Sequence, residues 1–338
     1  MNLFKGRFKM PQTVGIPRGL LFYNYFPLWE TFFEELGCRV IISEKTTKDI
    51  LNSGIEVTVD DACLPIKIYH GHIRHLVNQN VDYIYVPRLV SVFRKEYICP
   101  KFSGLPDMIK SNVKNLPRII SPDIDWSNGK AKLMNTVLSI GKIFSRDPLK
   151  VWLAYKKGYR QYKQYKSFLQ QGFLPEEAVD IIRNKTSAND VIQGKQKKRE
   201  YKVLLLGHPY NLYDSFINMD IIHKLTKMGC AVLTPELLSG EIIENYNKNL
   251  PKKIFWTMEK RLVGNTLYYL EKKKIDGIIY LVSFGCGPDS LVGELVGRWV
   301  KKKGRIPFML ITIDEHTGEA GFNTRLEAFV DMIERCKV

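Results

Sequence analysis

The chain repeats itself, and that repeat limits its fold more than any other feature. Gly15-Ile16-Pro17 opens a stretch reaching Gly37-Cys38-Arg39-Val40, and Gly207-His208-Pro209 opens one reaching Gly229-Cys230-Ala231-Val232. In both copies 23 residues separate the first Gly from the Cys. The second copy reads as an apolar run, Val203 to Leu206, a Gly/Pro turn, an amphipathic stretch, Phe216 to Met228, a helix-ending Gly and another apolar run. The first copy follows the same order through Thr13 to Ile16, Leu28 to Leu36 and Val40 to Ile42. Each half carries a further apolar run behind an acidic residue, Asp82-Tyr83-Ile84-Tyr85-Val86 and Asp276-Gly277-Ile278-Ile279-Tyr280-Leu281-Val282, at an offset of 192 to 194 residues. Short apolar strands alternating with helical segments predict parallel sheets covered by helices, with sites at the strand C-terminal ends.

The expected architecture is therefore α/β, with two duplicated doubly wound parallel-sheet domains of Rossmann or flavodoxin type. They are placed at 11–126 and 201–338. Between them, over 127–200, the β-branched signature gives way to Lys, Arg, Tyr and Gln in helix-friendly order, which predicts a helical insert ending in a linker, Gly194 to Glu200. With 45% hydrophobic and 25% charged residues, disorder, collagen and coiled coil are excluded. The apolar runs, such as Ile278 to Phe284, fall far short of the roughly 18 to 20 residues of a membrane span. Met1 to Met10 is basic but has no apolar core or small-residue cleavage site, so a cytoplasmic address with reduced thiols is expected.

Charge is the abnormal quantity. The chain has 51 basic and 35 acidic residues, a net +16, and residues 142–202 alone hold 15 Lys or Arg against 6 Asp or Glu. Such a surplus steers acidic partners. Tyr155, Tyr159, Tyr162 and Tyr165 recur at helical spacing beside Lys156, Lys157, Arg160, Lys163 and Lys166. Interleaved aromatic and basic residues can bind nucleic acid, or the tyrosines can pack inward with the cations in solvent. No helix-turn-helix, RNP or zinc-finger pattern supports nucleic acid, so the packed helix is the expectation.

Six cysteines occur without a single C-x-x-C, which excludes zinc-ribbon and thioredoxin motifs. Cys38 and Cys230 share one repeat position and read as buried, and Cys336 lies in the terminal Arg335-Cys336-Lys337. The other three sit in Asp60-Asp61-Ala62-Cys63-Leu64-Pro65, Tyr97-Ile98-Cys99-Pro100 and Phe284-Gly285-Cys286-Gly287-Pro288-Asp289, each with proline one or two residues downstream. Cys63 and Cys286 are expected to follow a strand and precede a helix, where the positive helix end favours thiolate. Two chemistries compete. A cysteine nucleophile needs a base, with His316 at a comparable strand end, but leaves Cys63 and Cys99 unexplained. A metal site uses all three: an iron–sulfur cluster with one iron left open, or zinc with His316, His70 or His72 as the fourth ligand.

Longer motifs surround these residues: Val59-Asp60-Asp61-Ala62-Cys63-Leu64-Pro65-Ile66-Lys67, Tyr97-Ile98-Cys99-Pro100-Lys101, Ser283-Phe284-Gly285-Cys286-Gly287-Pro288-Asp289-Ser290, and the run from Ile313-Asp314-Glu315-His316-Thr317-Gly318 to Phe329. From about Val14 to Arg335 the chain resembles the uncharacterised domain associated with acyl-CoA dehydratase activases. That domain is similar to the iron–sulfur subunits of 2-hydroxyacyl-CoA dehydratases. The resemblance implies a [4Fe–4S] cluster on Cys63, Cys99 and Cys286, reduced by a separate activase-type iron–sulfur ATPase. It also implies a second dehydratase-like subunit and an acyl-CoA substrate, which the dehydratases convert to a ketyl radical anion before water leaves.

The chain departs from the complete system, because it has no G-x-x-x-x-G-K-[ST] and no further activase-like cysteine pair. Another protein must then supply the electron, and the basic insert, through Lys156, Arg160, Lys163 and Lys166, is the expected steering surface. Lys67 and Lys101 are expected beside the cluster, and Glu315 and His316 as catalytic proton donors. Two other classes compete with this reading: a non-catalytic iron–sulfur scaffold or docking protein, and a zinc or cysteine hydrolase.

Overall fold

The computed structural model describes residues 11–93, 95–125, 131–194, 199–304 and 306–337. Met1 to Met10 and most of the expected linker lie outside them. The first half runs β1 Thr13–Ile16, α1 Phe22–Glu35, β2 Arg39–Ile42, α2 Lys48–Ile55, α3 Leu64–Asn78, β3 Tyr83–Tyr85, β4 Arg88–Ser91, α4 Pro100–Ser103, α5 Leu105–Asn112, β5 Arg118–Ile120 and β6 Asp123–Asp125. Four helices follow: α6 Ala131–Gly141, α7 Pro148–Gln170, α8 Pro175–Ile182 and α9 Ala188–Gly194. The second half runs β7 Tyr201–Leu206, α10 Pro209–Leu212, α11 Ile221–Lys227, β8 Cys230–Leu233, α12 Gly240–Lys248, α13 Thr257–Lys272, β9 Gly277–Ser283, α14 Gly287–Lys303, β10 Phe308–Ile313 and α15 Glu319–Lys337.

The duplication is visible in strand order. One sheet is β2-β1-β3-β5 and the other β8-β7-β9-β10, the same winding twice, and all their pairings are parallel. The echoed glycines do the same work in both. Gly37 and Gly229 end their helices at φ +88° and +80°, where a side chain would be strained, and a Cβ there would meet nothing within 4 Å.

Strand β9 is buried along its whole length because helices cover both faces of its sheet. Leu205, Ile279 and Leu281 face one core, and Leu204, Leu206, Ile278 and Tyr280 the other. The first of these cores is completed by Leu51, Leu64 and Ile68, from α2 and α3 of the other half. The two halves thus share apolar packing, and the start of α3 lies on the seam.

Three local expectations differ from the structure. Helix α2 and turns, rather than a strand, precede Cys63, even though Val57-Thr58-Val59 is β-branched. Gly54 and Gly71 decide this: a Cβ on either would lie 1.9 Å from a backbone oxygen of the other helix, so α2 and α3 touch backbone to backbone. The expected helix from Phe216 begins only at Ile221, because Met219 and Asp220 adopt left-handed φ of 51° and 57°. Helix α1 begins earlier than expected, at Phe22, and runs through Pro27. Proline has no N–H for the Tyr23 carbonyl, and the Tyr165 hydroxyl donates to that oxygen instead, at 2.6 Å.

Tyr155, Tyr162 and Tyr165 of the insert are packing residues, whereas Tyr159 is exposed. Tyr162 stacks on Tyr25 of α1 at 5.5 Å, Tyr155 stacks on Tyr159, and Tyr165 is buried. Lys156, Arg160 and Lys163 are exposed, but Lys166 is half-buried. Burial, with Arg261 adding and Glu236 opposing, pushes its pKa down to about 8. Lys166 therefore does not belong to the exposed steering surface. No described helix is long and apolar enough to cross a membrane.

Candidate metal centre

Helix beginnings build this site. Cys63 is the N-cap of α3, Cys99 of α4 and Cys286 of α14; each helix has proline in its first turn, and none of the three side chains caps its own helix. Proline tolerates the helix start because its missing N–H would be unpaired there anyway. The sulfurs are left available. All three cysteines are free thiols and half-buried, whereas Cys38 and Cys230 are buried and Cys336 is exposed.

The three line one pocket, although 36 and 187 residues separate them along the chain. Gly285 shows how closely the halves meet here, since its Cβ would fall 3.7 Å from the Cys63 Cα. Lys101 lines the same pocket, with Nζ 3.5 Å from the carbonyl oxygens of Asp61 and Gly285. Burial pushes the Cys63 thiol up; Cys286 and Cys99 add to this, while Lys101 and the Ile66 N–H oppose it. Burial also pushes Cys99 up, against the Lys101 N–H.

The other expected site residues divide. Buried Lys67 forms an ion pair with Glu315 at 2.5 Å, and burial works against the Glu315 carboxylate but Lys67 holds its pKa below the usual range. Glu315 lines a separate cleft of ≈ 360 Å³ that also touches Leu64, the residue after Cys63. His316 is exposed and outside the cysteine pocket, and its N–H donates to Asp314 in a local turn. His70 contacts the Ile66 carbonyl and Asn112, and His72 contacts Thr46; neither lines the pocket.

A different histidine does. His208 lines the pocket with the cysteines, its Nε2 3.1 Å from Asp289 Oδ2 and 3.6 Å from Glu259 Oε1. The Tyr280 hydroxyl donates to the other Asp289 oxygen at 2.9 Å. Burial disfavours an imidazolium, but the Asp289 and Glu259 charges and the contact with Cys286 outweigh it, raising the His208 pKa well above its ordinary value. Sequence reasoning missed this residue. Its signal was the echo itself, which sets His208 against Ile16.

The donor set suits a metal group that takes thiolates: three cysteines uncommitted to disulfides or caps, with only Lys101 as a neighbouring lysine of the pocket. The enclosed volume is ≈ 40 Å³, little more than one water's share. A larger bound group would reach the partly exposed rim. On the segments that carry the cysteines Val59, Phe93, Tyr97, Phe284 and Leu291 are exposed, as is Phe255, whose carbonyl accepts from the Tyr97 N–H; none of them lines the pocket itself.

Two family models match the chain. One, described as CoA enzyme activase uncharacterised domain, covers residues 13–238. The other, 2-hydroxyglutaryl-CoA dehydratase, D-component, covers residues 160–333, so the two overlap across the end of the insert and the start of the second half. No curated protein matches.

Proposed function

The chain belongs to the families of the CoA enzyme activase uncharacterised domain and the 2-hydroxyglutaryl-CoA dehydratase D-component, and from that premise we propose that it is the cluster-binding component of an acyl-CoA dehydratase- or reductase-like system. Cys63, Cys99 and Cys286 would hold a [4Fe–4S] cluster. The observation that carries this reading is their convergence, from both halves, on one pocket. Such a cluster supplies one-electron chemistry and an iron with no protein ligand. Around it the chain supplies the Lys101 ammonium as a positive charge at the pocket wall and, near the start of α3, buried Lys67 paired with half-buried Glu315. Glu315, held ionised by Lys67, would serve the neighbouring cleft as a proton acceptor rather than the expected donor, and exposed His316 lines neither that cleft nor the cysteine pocket.

The electron comes from a separate activase-type iron–sulfur ATPase in the cytoplasm. Its docking face would include the exposed Phe284, which directly precedes the pocket-lining Gly285 and Cys286, with the exposed cations Lys156, Arg160 and Lys163 steering the approach at a distance. A second dehydratase-like subunit and an acyl-CoA substrate complete the system. The test is iron and acid-labile sulfide content after anaerobic purification, followed by stopped-flow reduction with an activase and ATP. Near four irons per chain and ATP-dependent bleaching are expected; a chain free of iron and sulfide would end the reading. A single metal ion is the second reading, because His208, Cys286 and Asp289 present ligand atoms all within 4.8 Å of one another. Zinc without sulfide in the same assay would favour it.

A further inference from the structure

We propose that His208 is a positioning residue for Cys286, hydrogen-bonding its sulfur and thereby setting the reduction potential of the group the three thiolates hold. The inference rests on the cluster reading above and goes beyond it, because it assigns the electronic bias of the site to one side chain.

The molecule contains its own control. At the echoed place in the first half stands Ile16, fully buried, so the fold itself asks only for an apolar side chain there. In the second half an imidazole is buried instead, together with two carboxylates, Asp289 and Glu259. Buried polar and charged groups are costly unless each is partnered, so packing does not account for the set. A shared contact does. Strands β7 and β9 are neighbours at the point where the winding of their sheet reverses, which brings His208, just after β7, beside Cys286, just after β9.

Each member is held from behind. Asp289 lies in the first turn of the helix that Cys286 caps, and Tyr280 of β9 fixes one of its oxygens. Its other oxygen makes no aligned hydrogen bond and sits 3.1 Å from His208 Nε2. Glu259, in the first turn of α13, closes the opposite side at 3.6 Å, and the Tyr210 ring lies against the imidazole at 5.1 Å between centroids. The ring is therefore oriented by three side chains, with its ligand-capable nitrogen and the Cys286 sulfur within 4.8 Å of each other. Cys63 and Cys99 have the backbone N–H groups of Ile66 and Lys101 nearby, whereas Cys286 has a side chain. A hydrogen bond to a ligating sulfur withdraws electron density and stabilises the reduced state, so it raises the potential.

The experiment compares anaerobically purified wild-type protein with His208→Ile, which installs the first-half residue, and His208→Gln, which keeps a donor. Iron and sulfide content, thermal unfolding and the midpoint potential from an EPR-monitored titration are read for each. The expected result is full iron content in all three and a potential that falls in the order wild type, His208→Gln, His208→Ile. Should His208→Ile not fold, Tyr280→Phe, which releases Asp289, is expected to lower the potential by a smaller step. Equal potentials in loaded, folded variants would overturn the proposal, and so would folded His208→Gln without iron, since that makes His208 a ligand. Wild-type protein without iron and sulfide would instead defeat the cluster reading, and this proposal with it.

Discussion

The two sheets share one winding order, yet their C-terminal edges carry different chemistry. Beyond β7 and β9 the strand ends themselves present His208 and Cys286. In the first half the strand β1 ends on apolar Ile16, and its cysteines sit on added segments: Cys63 after the helix α2, and Cys99 after β4, which pairs with β6 outside the main sheet. The duplicated scaffold is thus a frame, and function enters where the copies stop agreeing. Packing, capping and strand pairing follow the echo; the pocket does not.

That comparison can be broken most directly at the cysteines. Cys63→Ser, Cys99→Ser and Cys286→Ser are each expected to remove most of the iron and sulfide from anaerobic preparations, while Cys38→Ser and Cys230→Ser, at the echoed position, leave both unchanged. Metal analysis decides, and equal loss in both groups would dissolve the distinction between frame and site.

The seam between the halves is the next place to press. In Gly54→Ala the new Cβ would meet the Lys67 backbone oxygen at 1.9 Å, so α2 and α3 must separate, with a loss of about 3 kcal/mol in denaturant unfolding. Gly37→Ala and Gly229→Ala clash with nothing and strain only the backbone, so each should cost about 1 to 2 kcal/mol, and the two should match. Unequal values would show that the echo is not equivalent in the folded state.

Acid should act on the contact between halves. Thr46 of the first half donates to Asp214 of the second, and His72 packs behind it, its pKa pushed down to about 3 by burial, with Arg18 and His75 adding. The unfolded chain binds a proton at this histidine near pH 6.5, whereas the folded one does not until about 3. Between those values the unfolded state holds more protons, so stability falls as pH drops, by up to about 1.4 kcal/mol per unit. Urea midpoints at pH 7 and 5 measure it, and His72→Gln should flatten the slope.

The smallest effects belong to the insert. Tyr165→Phe leaves the Tyr23 carbonyl without its donor and should cost about 1 kcal/mol. Charge reversal at Lys156, Arg160 and Lys163 should slow reduction by an activase at low salt and change little at high salt. Phe284→Asp, at the rim, should slow it at both; the reverse ranking would move the docking face to the insert.

Much of this was legible in the sequence. The repeat gave the sheets, because strand and helix periodicities are local properties, and the prolines marked the helix starts that carry Cys63 and Cys286, while the short helix after Cys99 was not expected. What was hidden depends on adjacency. His208, Glu259 and Asp289 lie far apart in sequence and acquire meaning only once β7 and β9 are neighbours and α13 closes over them. Helix α2 was hidden because Val57-Thr58-Val59 has strand-like composition, while the glycine contact that fixes the helix pair is tertiary. Lys166 read as one more surface cation, since helical spacing does not say which basic residue turns toward Arg261 and Glu236.

One small crossing between the halves bears on how the chain moves. Tyr97 pairs with Trp256 as a single parallel bridge, its N–H donating to the Phe255 carbonyl at 2.8 Å and its carbonyl accepting from the Thr257 N–H at 3.0 Å. Cys99 lies two residues beyond one side of this bridge and Glu259 three residues beyond the other. Two main-chain hydrogen bonds thus tie the segment that carries Cys99 to the start of the helix that carries Glu259. In hydrogen–deuterium exchange the amides of Tyr97 and Thr257 should therefore outlast their exposed neighbours, and the spacing of Cys99 and Glu259 at the pocket depends on this crossing as well as on the packing of the seam.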